Sequence, residues 1–208
     1  MKIDNSNLHL NQTQQTSNKL AEQLATGKKV NSAADDAAAL QIIDRLTSQQ
    51  EGYGQAVRNA YDGISYSQVT ESSLSGVNDA VSRIRELSLQ AGNGALSDND
   101  RAALQEEVVQ LQSQITETFE NASFGGKPLF DGRSVSFQVG PDANTTQKTT
   151  PSDGSFAAAI ATIDISTQAG AQAAIDISDQ ASDEINAQRA ELGAFQNTLA
   201  STIKGLGT

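Results

Sequence analysis

Apolar residues recur three and four positions apart over most of the chain, the spacing of amphipathic helices. Residues 5–25 are rich in Gln, Asn and Ser, with Leu8, Leu10, Leu20 and Leu24 as the main apolar positions. They predict a weakly amphipathic first helix that frays or stays disordered unless a partner helix covers it. Thr26-Gly27-Lys28-Lys29 ends it. Ser32-Ala33-Ala34-Asp35 has the S/T-x-x-D/E form of a capping box ahead of an Ala-rich run, so a second helix is expected from near Ser32, with Asp35 and Asp36 at its positive end. From Leu40 the apolar positions Ile43, Leu46, Tyr53, Val57, Ala60, Ile64, Leu74, Val77, Val81, Ile84 and Leu87 continue the helical spacing to about residue 91. If continuous from about Ala37 to Gln90, the helix spans roughly 80 Å at about 1.5 Å per residue. Gly52, Gly54 and Gly63 weaken it, and Ser67 and Glu71 interrupt its seam, so an irregular or locally kinked course is expected.

Gly92-Asn93-Gly94 stops this helix, and Ser97-Asp98-Asn99-Asp100 caps a third over 98–121, with a seam of Leu104, Val108, Leu111, Ile115 and Phe119. Beyond Ser123 the period changes to two. Val135, Phe137 and Val139 alternate with polar neighbours ahead of Gly140-Pro141-Asp142-Ala143-Asn144, which predicts a β-hairpin over about 134–149. Residues 148–155 look like a linker. A last helix is expected over about 168–206, with Ala181, Ile185, Leu192, Phe195, Leu199 and Leu206 on one face. The fold class predicted is mainly α: an elongated rod of long coiled-coil-like helices with a small β-hairpin.

Composition supports thin seams over a thick core. Only 37% of the 208 residues are hydrophobic and 4% aromatic, with no Trp. A formal charge of −11 repels phosphate backbones and anionic lipid surfaces, and the basic residues form no stripe, so neither nucleic acid nor membrane is an expected partner. The absence of cysteine excludes disulfides and thiolate chemistry, and the single His9 cannot build a histidine metal cluster. No cofactor or metal is expected. No apolar run approaches the roughly 18 residues of a membrane span, and the first residues lack the apolar segment of a signal peptide, so secretion would need another route.

The paired acids carry no catalytic arrangement. Asp35-Asp36 and Glu106-Glu107 are adjacent in sequence and diverge around a helix, so neither converges as an acid and base. Asp98-x-Asp100 lacks the calcium-loop glycine, since Ala103 stands there, and Val109 stands where a closing glutamate belongs. Gly125-Gly126 reads as a turn, because Lys127-Pro128 follows it without a strand-loop-helix context. No nucleophile, base and orienting group can be assembled, and the chain is not expected to be an enzyme.

Particular strings carry a family resemblance. E-Q-L-A-T-G-K-K-V-N-S-A-A-D-D-A-A at 22–38 resembles the bacterial flagellin signature E-R-L-S-S-G-x-R-I-N-S-A-x-D-D-A-A, which joins the terminal helix to the rod domain. R-N-A-Y-D-G-I-S at 58–65 is similar to the R-N-A-N-D-G-I-S of flagellins, and R-I-R-E-L-S-L-Q at 83–90 to their R-x-R-E-L-x-x-Q. F-Q-V-G at 137–140 and R-A-E-L-G-A-F-Q-N at 189–197 extend the likeness over nearly the whole chain. The segment before Gly27 looks about one heptad shorter than most flagellins carry. The variable outer domains look absent, and the chain stops at Thr208 where flagellins usually continue into a further terminal helix. Without that helix, the chain is expected to stay monomeric or weakly associated.

The resemblance implies a structural subunit that polymerises with other copies into the bacterial flagellar filament for motility. Residues 1–31, a helix and connecting loop, would lie in the inner filament layer, and 32–208 would form the rod. It also implies passage through a type III export apparatus with an export chaperone, contact with filament cap and hook-junction proteins, and an extracellular location. The hook-filament junction protein is the nearest alternative, for which Met1-Lys2-Ile3 and 91–97 look somewhat similar; a cytosolic helical signalling adaptor is a distant one. Finally, Arg83, Leu87 and Glu107 match motif positions through which an innate Toll-like receptor of a host senses flagellins. Arg83 and Leu87 share a helix face, and Glu107 joins them if the two helices pack antiparallel.

Overall fold

The computed structural model describes residues 2–207, with side chains from residue 8 onward; Met1 and the side chains of Lys2 and Ile3, noted above, lie outside the described residues. Five helices and two antiparallel strand pairs follow one another as α1 (Lys2–Thr26), α2 (Ala37–Ala91), α3 (Asp98–Asn121), β1 (Ser123–Phe124), β2 (Lys127–Pro128), β3 (Val135–Gln138), β4 (Thr146–Thr149), α4 (Ser155–Ala161) and α5 (Gln168–Leu206). The chain forms two compact units, Met1–Gly52 and Tyr53–Thr208, and α2 contributes residues to both.

In the first unit α1 is helical although its apolar positions are sparse. Gly27, at φ +64°, ends it in the left-handed conformation that glycine adopts without a Cβ penalty. The second helix starts at Ala37, not near Ser32. Asp35 accepts from the backbone N–H groups of Asn31 and Ser32, each at 3.2 Å, so the capping pattern closes a turn ahead of the helix. Asp36 is the residue that caps α2, accepting from the Ala39 N–H at 2.9 Å.

In the second unit α2 runs unbroken through Gly54 and Gly63. Gly63 is there for space: a Cβ would stand 2.8 Å from Leu199 Cδ1 and 3.3 Å from Phe137 Cγ. Three polar positions along the seam keep their hydroxyls satisfied within the helix. Ser67, Thr70 and Ser88 are buried, and each hydroxyl donates to the carbonyl four residues back. The core gathers Leu74, Val77, Val81, Ile84 and Leu87 of α2, Val108 and Ile115 of α3, and Ile185 and Leu192 of α5. A smaller cluster joins Ala60, Val139, Phe195 and Leu199. The seam expected between Leu40 and Tyr53 is different, because Ile43, Leu46 and Tyr53 are exposed.

α3 opens with the expected cap, which is a full capping box: Ser97 Oγ accepts from the Asp100 N–H, and the Asp100 carboxylate accepts from the Ser97 N–H. The hairpin is β3 against β4, in the register Val135↔Thr149 to Gln138↔Thr146. Asn144 takes φ 68° in its turn. Gly125-Gly126 is indeed a turn, and it joins the second small pair, β1 with β2.

Between the stretch expected as a linker, 148–155, and α5, where no element was expected, the chain is ordered. α4 buries Phe156 and Ile160, and Ile163 and Ile165 follow into the core. Phe119 packs edge-on against Phe130 and Phe156, with ring centroids 4.5 and 5.2 Å apart. The irregular backbone after α4 is satisfied by α3 side chains. Gln112 donates to the carbonyls of Ile160 and Ile163 at 2.8 and 2.9 Å, and Gln105 Oε1 accepts from the Ile165 N–H at 2.7 Å.

Candidate interaction surfaces

Large apolar side chains left in water mark the first unit. Leu8, Leu10, Leu20 and Leu24 of α1 are all exposed, Leu24 to 84%, and so are Ile42, Ile43 and Leu46 at the start of α2. Leu20 and Leu24 are four apart and share one face of α1. No residue of 8–52 falls in the buried core, so these side chains have little to pack against inside the unit. What holds the unit is polar. Lys19 Nζ pairs with Asp35 at 2.7 Å, and Gln23 donates to the Lys29 carbonyl at 2.8 Å. The Lys19 hydrogen bond, followed by that of the Asn31 N–H, draws the Asp35 carboxyl down to about 2. An apolar face of this kind on an otherwise polar helix suits a partner helix.

The second unit brings two of the three candidate receptor residues together. Arg83 Nε donates to Glu107 Oε1 at 2.7 Å, while Arg83 also pairs with Glu86 one helical turn on. Glu107 first, then Glu86, hold the guanidinium firmly in its charged form. The pair is exposed, so its worth is in geometry more than in stability. Leu87 does not join a surface patch: it is 1% exposed and packs in the core. It lies four residues from Arg83 on α2, yet it is turned inward while Arg83 stays exposed.

Several residues of the second unit were not singled out by sequence reasoning. Arg85 pairs with Asp179 and ties α2 to α5. Arg101 is 6% exposed and donates to three backbone carbonyls, Ala91 at 3.0 Å, Leu96 at 2.7 Å and Asn93 at 3.1 Å. It closes the end of α2 and the turn after it, where helix carbonyls lack intrahelical partners. A lone Arg in the first turn of a helix, against the dipole preference, is the signal that could have found it. Tyr66 is buried against Phe124 and Phe137, and that burial, with Asp131 adding to it, pushes its hydroxyl pKa up. Among the described residues no group of acids and His could hold a metal ion, and no helix is long and apolar enough to cross a membrane.

Comparison with known proteins gives this architecture a family. The model of the bacterial flagellin N-terminal helical region matches residues 2–134. Flagellin B of Vibrio anguillarum is 44% identical over 147 residues, covering 70% of this chain and 39% of its own length. B-type flagellin of Pseudomonas aeruginosa is 45% identical over 144 residues, with 68% and 30% covered. The chain thus spans about a third of the length of these two relatives. The flagellar filament 33 kDa core protein of Treponema phagedenis is 38% identical over 206 residues, with 89% of this chain and 71% of its own covered. Among solved structures, Bacillus cereus flagellin superposes with a TM-score of 0.66 at 25% identity, covering 72% of this chain and 88% of that one.

Proposed function

We propose that this chain, which belongs to the bacterial flagellin family, is a structural subunit that polymerises with copies of itself into the extracellular flagellar filament for motility. The observation that carries the reading is the row of exposed leucines on α1, apolar surface that assembly would bury. On this reading 1–31 lies in the inner layer of the filament and 32–208 in the rod around it. Subunit-to-subunit contacts are heterologous, so the rotation that relates neighbours builds an open helical tube and not a closed ring. The role is architectural and involves no catalytic step. An export chaperone and the type III export apparatus would deliver the chain, and cap and hook-junction proteins would border the polymer.

Electron microscopy of cell-surface filaments with peptide identification tests this. Peptides of this chain along the length of the filament are expected. Their restriction to the hook-filament junction would favour a junction protein, and their confinement to the cytosol would overturn the reading.

Receptor recognition is a second reading, favoured by the juxtaposition of Arg83 with Glu107 on an exposed face. A host Toll-like receptor would meet these two charged side chains, with Leu87 shaping the backbone beneath them. Arg83→Ala should weaken receptor binding by more than twofold with the helical spectrum unchanged. Binding within that limit would remove Arg83 from the site.

A further inference from the structure

The turn between α2 and α3 holds the chain's sole Asn-Gly pair, Asn93-Gly94. Both residues are exposed. Glycine leaves its own amide nitrogen unshielded, since it has no Cβ to block approach from the preceding side chain. Three hydrogen bonds to Asn93 bear on the pair. The Ala95 N–H donates to Asn93 Oδ1 at 3.1 Å and so polarises the side-chain amide carbon. Arg101 donates to the Asn93 backbone carbonyl at 3.1 Å, where the Leu96 N–H also donates at 3.1 Å. Among the described residues, the Gly94 N–H has no backbone acceptor and is not held away from attack.

We propose that Asn93 is a self-modification site, converting through a succinimide to an isoaspartyl linkage whose new carboxylate is held by Arg101. The Gly94 nitrogen bonds to Asn93 Cγ, the Cγ–Nδ2 bond breaks, and Nδ2 leaves as ammonia with the Gly94 amide proton. Water then adds at the backbone-derived carbonyl carbon of the ring, breaking its bond to the Gly94 nitrogen, which takes back a proton. No oxidant or reductant is needed. The chain now runs through the former side chain, and the oxygen Arg101 already contacts belongs to a carboxylate. A charge-assisted bond to guanidinium is stronger than one to a neutral carbonyl, so Arg101 steers hydrolysis toward the isoaspartyl product. Arg101 is a positioning residue here. The turn gains one negative charge beside a buried cation, independently of any assembly.

The test incubates the full chain in mildly alkaline buffer, native and in urea, and follows the 93–94 peptide by mass, with isoaspartyl methyltransferase labelling of the products. Asn93 should modify at least about tenfold faster than any other asparagine of the native chain, and Gly94→Ala should slow it by about tenfold or more. The native chain should also give a larger isoaspartyl share than the chain in urea. An equal share in the two states, or native protection of Asn93 beyond about tenfold relative to urea, overturns the proposal.

Discussion

α2 belongs to two different environments. Before Gly52 its large apolar side chains, Ile42, Ile43 and Leu46, stand in water; beyond Leu74 nearly every one is buried. Both stretches carry the same helical spacing. The difference is in what the rest of the chain supplies. Residues 53–208 provide α3, α4, α5 and two strand pairs to cover the seam, whereas in residues 1–52 the described apolar side chains of α1 are themselves exposed. A helical pattern therefore states that a face wants covering and leaves open who covers it. In the second unit the cover is intramolecular and stabilises the monomer. In the first the described apolar side chains stay exposed, and the proposed assembly would supply their cover.

Substitutions that delete the same atoms in the two regions should separate them most sharply. Leu192→Ala and Ile185→Ala remove fully buried side chains and should each cost about 2 to 5 kcal/mol, read by urea unfolding. Leu20→Ala and Leu24→Ala remove exposed ones and should stay within about 0.5 kcal/mol of the parent chain. Equal costs in both regions would mean that the first unit has a core of its own. Amide exchange gives the same contrast residue by residue: α1 should exchange fast, and the α2 stretch from Leu74 to Leu87 should be protected.

A smaller effect sharpens the contrast within α2. Gly63→Ala improves helix propensity by about 1 kcal/mol, yet the new methyl meets Leu199 and Phe137 at close range. Overpacking of about 1 to 3 kcal/mol should outweigh the gain and leave the variant less stable by thermal melting. Gly54→Ala meets only the flexible end of Arg58 and should keep the propensity gain. A stabilised Gly63→Ala chain would show that Phe137 and Leu199 can retreat.

How much of this was legible in the sequence depends on the range of the interaction that decides each feature. The spacing of Leu74 to Leu87, the Ser97-Asp100 box and the alternation of Val135, Phe137 and Val139 are local patterns, and α2, α3 and the hairpin follow from them. Asp35 and Asp36 illustrate a near miss. Both are good caps at neighbouring positions, and only the turn ahead of the helix decides that Asp35 binds backward and Asp36 forward. α4 was not legible because a seven-residue run, mostly Ala with Ser155, Phe156 and Ile160, is too short to show a period, and the backbone at its end and after it is held by Gln112 and Gln105 far away in sequence. For the candidate receptor residues, the meeting of Arg83 and Glu107 followed from two helices joined by a short turn. The burial of Leu87 was itself legible, since Leu87 closes the apolar seam of α2, and a buried seam position conflicts with a place in an exposed recognition patch.

The smallest effect expected is a pH response confined to the first unit. Lys19, then the Asn31 and Ser32 N–H groups, favour the charged form of Asp35 and lower its carboxyl to about 2. A group whose folded value is depressed contributes stability above its unfolded value, near about 3.9, and loses it as pH falls toward the folded one. The tie between α1 and the turn before α2 should thus be intact at neutral pH and loosen between about 4 and about 2. An NMR titration of the Asp35 carboxyl should find its midpoint near about 2 in the parent chain, moving up toward the ordinary carboxylate value in Lys19→Gln. The buried seams of the second unit should ignore that substitution. A parent midpoint already at the ordinary value would show that Lys19 does not hold Asp35, and the first unit would then lack its ion-paired tie between α1 and the turn before α2.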